Sequence, residues 1–195
     1  MAYFLFDVET TGLDCNHHEM CSLAAVILDD NFNFKAKGHM NLMPDHWDRA
    51  EKRALEINGV DPKTWKATHS SNAESVDKMV AFVDKNTKKK EKVIPMGHNV
   101  KFDIGFLKAL FKKTGQPWRF YDRREVDTMQ LMDFWRITTG EDIRDFRLGA
   151  CCKHFGIETP NAHNASADAI ATMRLAQTII ADLKNRIKSG IKGIV

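Results

Sequence analysis

The chain has 195 residues, 43% hydrophobic and 28% charged, with a net charge of +3; this is the make-up of one globular domain with room for a full core. No apolar run approaches the roughly 20 residues that span a bilayer, and the N-terminal residues reach the acidic Asp7 too soon for a signal peptide. A membrane protein is disfavoured on these grounds, and a cytoplasmic location is the expectation.

The four cysteines, Cys15, Cys21, Cys151 and Cys152, form no CxxC or CxxH pair. A disulfide framework and a zinc site are therefore not expected, and Cys151-Cys152 read as small buried hydrophobes. The charge is uneven. Residues 1–80 carry 8 Lys+Arg against 13 Asp+Glu, and residues 81–195 carry 21 against 13. A positive half facing an acidic site suits a polyanionic substrate, although the lysines of residues 85–92 read as a solvated loop.

In chain order, residues 3–8 form a short apolar strand, 21–28 a second and 32–42 a third, with a turn at Asp29-Asp30-Asn31. Residues 50–57 read as a helix closed by Asn58-Gly59, and 73–86 as a helix with Val76, Met79, Val80 and Val83 on one face. Residues 93–97 form a strand that ends at His98-Asn99. A helix over 101–113 follows, then a last strand over 120–127. Helices are expected over 128–137, 144–155 and 166–188. Three consecutive strands, then helix–strand–helix–strand, then helices, indicate an α/β fold with a mixed five-stranded sheet. One domain is expected over residues 1–188, with 189–195 as a short tail.

Chemistry gathers at the ends of these elements. Asp7-Val8-Glu9-Thr10-Thr11-Gly12 closes the first strand, and residues two apart on a strand share a face. Two like charges so placed repel unless a cation holds them. Asp103 falls in the first turn of a helix, and Asp168 lies near the start of the last helix, five residues after His163. Carboxylates at Asp7, Glu9, Asp103 and Asp168 form a hard-oxygen set suited to Mg²⁺ or Mn²⁺.

Three segments carry a resemblance: Asp7-Val8-Glu9-Thr10-Thr11-Gly12, His98-Asn99-Val100-Lys101-Phe102-Asp103, and His163 with Asp168. In this order they resemble the motifs of the DEDDh (DnaQ-like) 3′–5′ exonucleases, which have a ribonuclease H-like fold. The resemblance implies a site for two Mg²⁺ ions, with Mn²⁺ as a substitute, about 4 Å apart. Asp7 would bridge both ions. Glu9 and Asp168 would complete the tighter one, and Asp103 would act through a ligand water or by orienting the site. His163 would be the general base, a role suited to an imidazole, whose ordinary titration range is close to neutral pH.

The resemblance also implies that Thr10, Thr11, Gly12 and Leu13 contact the terminal nucleotide, with Leu13 near its base. Asn58 would lie against the 3′-terminal base, and Asn99 would touch substrate or support the site. Trp65 is the best candidate for stacking on a base. Trp118, Trp135, Met129, Met132 and Phe134 read as core. His98 reads as a hydrogen-bonded core histidine, and His17 and His18 as surface or packing residues. The function so implied is release of nucleoside 5′-monophosphates from single-stranded 3′ ends. Two alternatives stand beside it: hydrolysis of short oligonucleotides or small phosphodiesters, and a non-catalytic nucleic-acid or polymerase-binding module. A homodimer and a DNA polymerase partner both remain open, as does the choice between DNA and RNA.

Overall fold

A computed structural model describes residues 1–88, 91–118, 121–159 and 164–190. His163, the tail from 191 onward, and parts of the 85–92 loop and of the expected last strand lie outside these residues.

The first three strands, β1 (Ala2–Thr10), β2 (Met20–Asp29) and β3 (Phe34–Asn41), form an antiparallel meander. The turn between β2 and β3 is built on Asp29, whose carboxylate accepts the amides of Asn31 and Asn33 at 2.9 Å each. Helix α1 (Lys52–Asn58) ends on Gly59 in the left-handed conformation at φ 64°, a conformation that glycine adopts without a Cβ penalty. Helix α2 (Asn72–Asn86) is capped by the Ser71 hydroxyl, which accepts from Glu74 N. Strand β4 (Val93–Gly97) then pairs parallel to β1, and helix α3 (Val100–Lys113) follows it. Strand β5 (Val126–Asp127) leads into α4 (Thr128–Thr139), α5 (Leu148–His154) and the 24-residue α6 (Ala165–Lys188). The sheet order is β3-β2-β1-β4-β5.

Alternation along β1 divides the core. Phe4, Phe6 and Val8 face α2 and α3 together with Met79, Leu107 and Phe111, whereas Tyr3 and Leu5 face Ala165, Ala169 and Ala176 of α6. A third cluster joins α4, α5 and α6 through Met132, Trp135, Cys151, Cys152, Leu175 and Ile179. The expected burial of Cys151, Cys152, Met132 and Trp135 is present. Phe134 departs from it and is 57% exposed, on the outer side of α4.

Two elements are shorter than their hydrophobic pattern suggests, for the same reason. Before β5, the Asp122 carboxylate accepts the Arg124 amide at 2.9 Å and pairs with its guanidinium. This local turn draws the chain off the ladder; among the described residues upstream of β5, a single bridge joins Tyr121 to Val93. Before α5, Asp145 accepts the Arg147 amide at 3.0 Å, so the helix starts at Leu148 instead of residue 144.

Asp127 ties β5 to two helices. Its Oδ1 accepts from Asn99 N and Met129 N at 2.9 Å each, and its Oδ2 from Val100 N at 3.1 Å. One carboxylate thus caps the N-termini of α3 and α4. Asp127→Ala would strand three amides in a largely buried place. It is expected to cost about 3 kcal/mol or more, read as a fall in Tm of roughly 6–12 °C. Asp127→Asn, which keeps one acceptor oxygen, should recover about half of that loss. An Asp127→Ala protein with wild-type Tm would contradict this assignment.

Candidate active site

The face of β1 that carries Tyr3 and Leu5 under α6 continues, two residues at a time, to Asp7 and Glu9. Along this face α6 supplies alanines against Tyr3 and Leu5, and in its first turn it supplies Asp168. The helix start is set by Asn164, whose Oδ1 accepts from Ser166 N and Ala167 N at 3.1 and 3.3 Å. Carboxylate oxygens of Asp7, Glu9 and Asp168 come within 4.8 Å of one another. They are the one such group of potential metal ligands among the described residues.

Asp103 approaches the same place from α3. Strand β1 pairs with β4 only as far as Leu5. Beyond that point the amide of Val8 donates to Asp103 Oδ1 at 3.1 Å. The sequence groups Asp103 with the metal ligands; here its Oδ1 stands in for a strand partner and holds the overhanging end of β1. Gly97 helps make this junction possible, since a Cβ there would sit 3.2 Å from the Phe6 carbonyl and 3.1 Å from Val100. Asn99 turns the chain from β4 into α3 in the left-handed conformation, at φ 63°.

Electrostatics mark the cluster as strained without a cation. Burial, then the charges of Asp103, Glu9 and Asp168, raise the Asp7 carboxyl well above its ordinary value. Burial and Asp168 push Glu9 up to about 7. Asp103 is pushed up to about 8, mainly by burial, although the Val8 amide opposes the shift. Beside them the Cys21 thiol, which donates to the Glu9 carbonyl at 3.2 Å, is raised to about 12 by burial and by the Glu9 charge. A hard divalent cation would relieve this repulsion, and three carboxylates offer the oxygen donors that Mg²⁺ or Mn²⁺ prefers. The residues present therefore fit such an ion.

The loop after β1 is held from several sides. Thr10 Oγ1 donates to the Gly12 carbonyl at 2.7 Å, and Thr11 N to Glu19 O at 2.8 Å. Both ends of α1 reach in: Glu51 N donates to Thr11 O at 2.8 Å and Asn58 Nδ2 to Thr10 O at 2.9 Å. Leu13 then stands 75% exposed at the tip. Asn58 is thus brought to the loop. Trp65 is not seen against the carboxylates; its half-buried indole donates to Leu42 O at 2.8 Å. His98 is hydrogen-bonded as expected but only half-buried, with Nδ1 2.8 Å from Thr128 Oγ1 and Nε2 2.7 Å from Phe146 O. His18, read as a surface or packing residue, has its ring directly beneath Gly12; no periodicity in the irregular loop signals this.

Residues 4–176 match the RNase_T family of exonucleases. The chain is 29% identical over 191 residues to ribonuclease T of Shewanella frigidimarina, covering 90% of this chain and 80% of that protein. It is also 29% identical over 191 residues to the PolC-type DNA polymerase III of Lactococcus lactis subsp. lactis, covering 94% of this chain. It spans only 10% of that polymerase's length. Escherichia coli exonuclease I in complex with a dT13 oligonucleotide superposes with a TM-score of 0.78 at 22% identity, over 96% of this chain and 43% of that one. The zinc-ion-bound complex of the same enzyme with single-stranded DNA gives 0.78 at 23% identity, over 96% and 42%. Such identities establish a shared fold. The family match over most of the chain, the ribonuclease H-like sheet and the converging carboxylates agree: the chain belongs to the Exonuclease family, in its DEDDh branch.

Proposed function

We propose that the protein is a metal-dependent 3′–5′ exonuclease that removes nucleoside 5′-monophosphates from the 3′ ends of single-stranded DNA or RNA. The observation that carries this reading is the convergence of Asp7, Glu9 and Asp168 at the C-terminal end of β1. These three would hold a pair of divalent cations, Mg²⁺ or Mn²⁺. The chemistry that such ions supply when bound is water activation and neutralisation of charge on the leaving oxygen.

The chain's own residues do the rest. Asp103 fixes the end of β1 through the Val8 amide and adds negative charge behind Asp7. His163, five residues before Asp168 in sequence, takes the proton of the attacking water. The backbone from Thr10 to Gly12 presents itself to the terminal sugar and phosphate. Leu13, apolar and exposed, meets the terminal base. Asn58 keeps that loop in place through Thr10 O, Asn99 supports the adjoining turn, and Trp65 offers a stacking face to a base further along the strand. The match to PolC-type polymerases supports action alongside a polymerase, and the 80% coverage of ribonuclease T supports action alone.

The test is a product ladder from 5′-labelled single- and double-stranded DNA and RNA, run beside oligomers of a few nucleotides. Stepwise shortening from the 3′ end, abolished by EDTA and restored by Mg²⁺ or Mn²⁺, is the expected result. Binding without shortening of any substrate would defeat the proposal and favour a non-catalytic module. Cleavage confined to the shortest oligomers would replace the substrate class and keep the chemistry.

A further inference from the structure

We infer that His18 is a positioning residue: its ring, seated beneath Gly12, sets the height of the loop from Thr10 to Leu13 and so the grip on the 3′-terminal nucleotide. The inference rests on the reading of that loop as the nucleotide contact.

The His18 side chain is 8% exposed, although it belongs to an irregular surface loop. One edge of its ring is hydrogen-bonded and the other faces Glu51. The Asp14 amide donates to Nδ1 at 3.1 Å, which leaves the ring proton on Nε2. Nε2 lies 3.4 Å from Glu51 Oε1. The backbone closes the same turn, with His18 N donating to Asp14 O at 2.7 Å. Glu51 therefore grips the loop twice, through its amide on Thr11 O and through its carboxylate on His18.

Gly12 lies on top of this held ring. A Cβ there would fall 2.4–2.5 Å from Cδ2, Cγ and Nε2 of His18, closer than non-bonded atoms approach. The ring is anchored at Nδ1 by the Asp14 amide and lies largely out of solvent, so a Cβ at position 12 would force it to shift. Glycine at position 12 is thus required by the ring below it. Above Gly12 the chain emerges as Leu13, the exposed tip. The ring thus supports Gly12, and Gly12 leads directly into Leu13, the residue proposed to meet the terminal base. The contacts of the His18 ring run to Asp14, His17, Glu51 and Gly12, so it acts on substrate placement.

Kinetics of His18→Ala, Gly12→Ala and the double variant on 5′-labelled single-stranded DNA, each with a thermal melt, test this. His18→Ala is expected to raise KM about 10-fold with kcat changed by less than about threefold, and to leave the Mn²⁺-induced rise in Tm as in wild type. Gly12→Ala should raise KM similarly in the wild-type background. With the ring removed, adding Gly12→Ala should cost less than about twofold more, because the clash is gone. Strict additivity of the two changes, or a wild-type KM in folded His18→Ala, overturns the inference. His18→Asn keeps an acceptor for the Asp14 amide and removes the ring, so it carries the same KM test if His18→Ala does not fold. Failure of the underlying reading looks different: an Asp7→Asn protein that still shortens DNA removes the site itself, whereas an inactive Asp7→Asn beside an unchanged KM in His18→Ala removes only the role of His18.

Discussion

Asp7→Asn is expected to lower kcat by about 10³-fold or more while the protein stays folded and still binds oligonucleotide. Burial first, then the charges of Asp103, Glu9 and Asp168, raise the pKa of Asp7. Removing a ligand that holds a catalytic cation forfeits several kcal/mol of transition-state stabilisation, and roughly 4 kcal/mol corresponds to about 10³ in rate. Asparagine keeps the volume of the side chain, so the packing beneath α6 has no reason to collapse. The substitution also removes one of the mutually repelling charges. Metal-free Asp7→Asn should therefore melt higher than metal-free wild type at pH 8, and its Tm should respond less to Mn²⁺. Single-turnover cleavage, oligonucleotide binding and melting curves check the three parts. A kcat within tenfold of wild type would sink the assignment.

The metal-free protein should lose stability as pH rises from about 4.5 to about 8. Glu9 goes from an ordinary value of 4.5 to about 7 on folding, and Asp103 from 3.8 to about 8. Between those limits the folded state holds more protons than the unfolded state, so stability falls as pH rises. The stabilisation is fully present below the unfolded values and gone above the folded ones. Glu9 alone contributes roughly 3 kcal/mol before solvent screening reduces it, which predicts a fall in Tm of roughly 5–10 °C. A bound cation takes the place of the protons. The Tm rise on adding Mg²⁺ or Mn²⁺ should accordingly be small at pH 5 and large at pH 8. Melting curves with EDTA and with excess metal across this range decide it, and a metal-free Tm that climbs with pH would contradict the electrostatic account.

Much of this was legible in one dimension. Residues 93–97 read as a strand and are one, because a short apolar run bounded by charged residues and a His-Asn turn has few other uses. Asp7 and Glu9 share a face because strand periodicity leaves them no choice, and the helical pattern that follows His163 puts Asp168 near the start of a long amphipathic helix, where it falls in the first turn. What escaped depends on single polar side chains and on distance. Asp122 and Asp145 each bond a backbone amide two residues on, and so override hydrophobic patterns that suggested a longer strand and a longer helix. The bond from Val8 to Asp103 Oδ1 joins residues 95 positions apart, and no local pattern announces it. His18 beneath Gly12 is of the same kind. The glycine is visible in the sequence, but the ring that demands it is not.

The packing of α6 on β1 has a consequence for the protein's synthesis. Asp7 is made in the first strand and Asp168 only in the last helix. A ribosome-bound chain that lacks α6 exposes Tyr3, Leu5, Ala24, Val26 and Leu28 on the open side of its sheet, a natural surface for a chaperone. That chain holds Asp7, Glu9 and Asp103 but cannot gather the ligand set. As the proposed exonuclease, the half-made protein would lack its ligand set and would acquire its chemistry only when α6 docks.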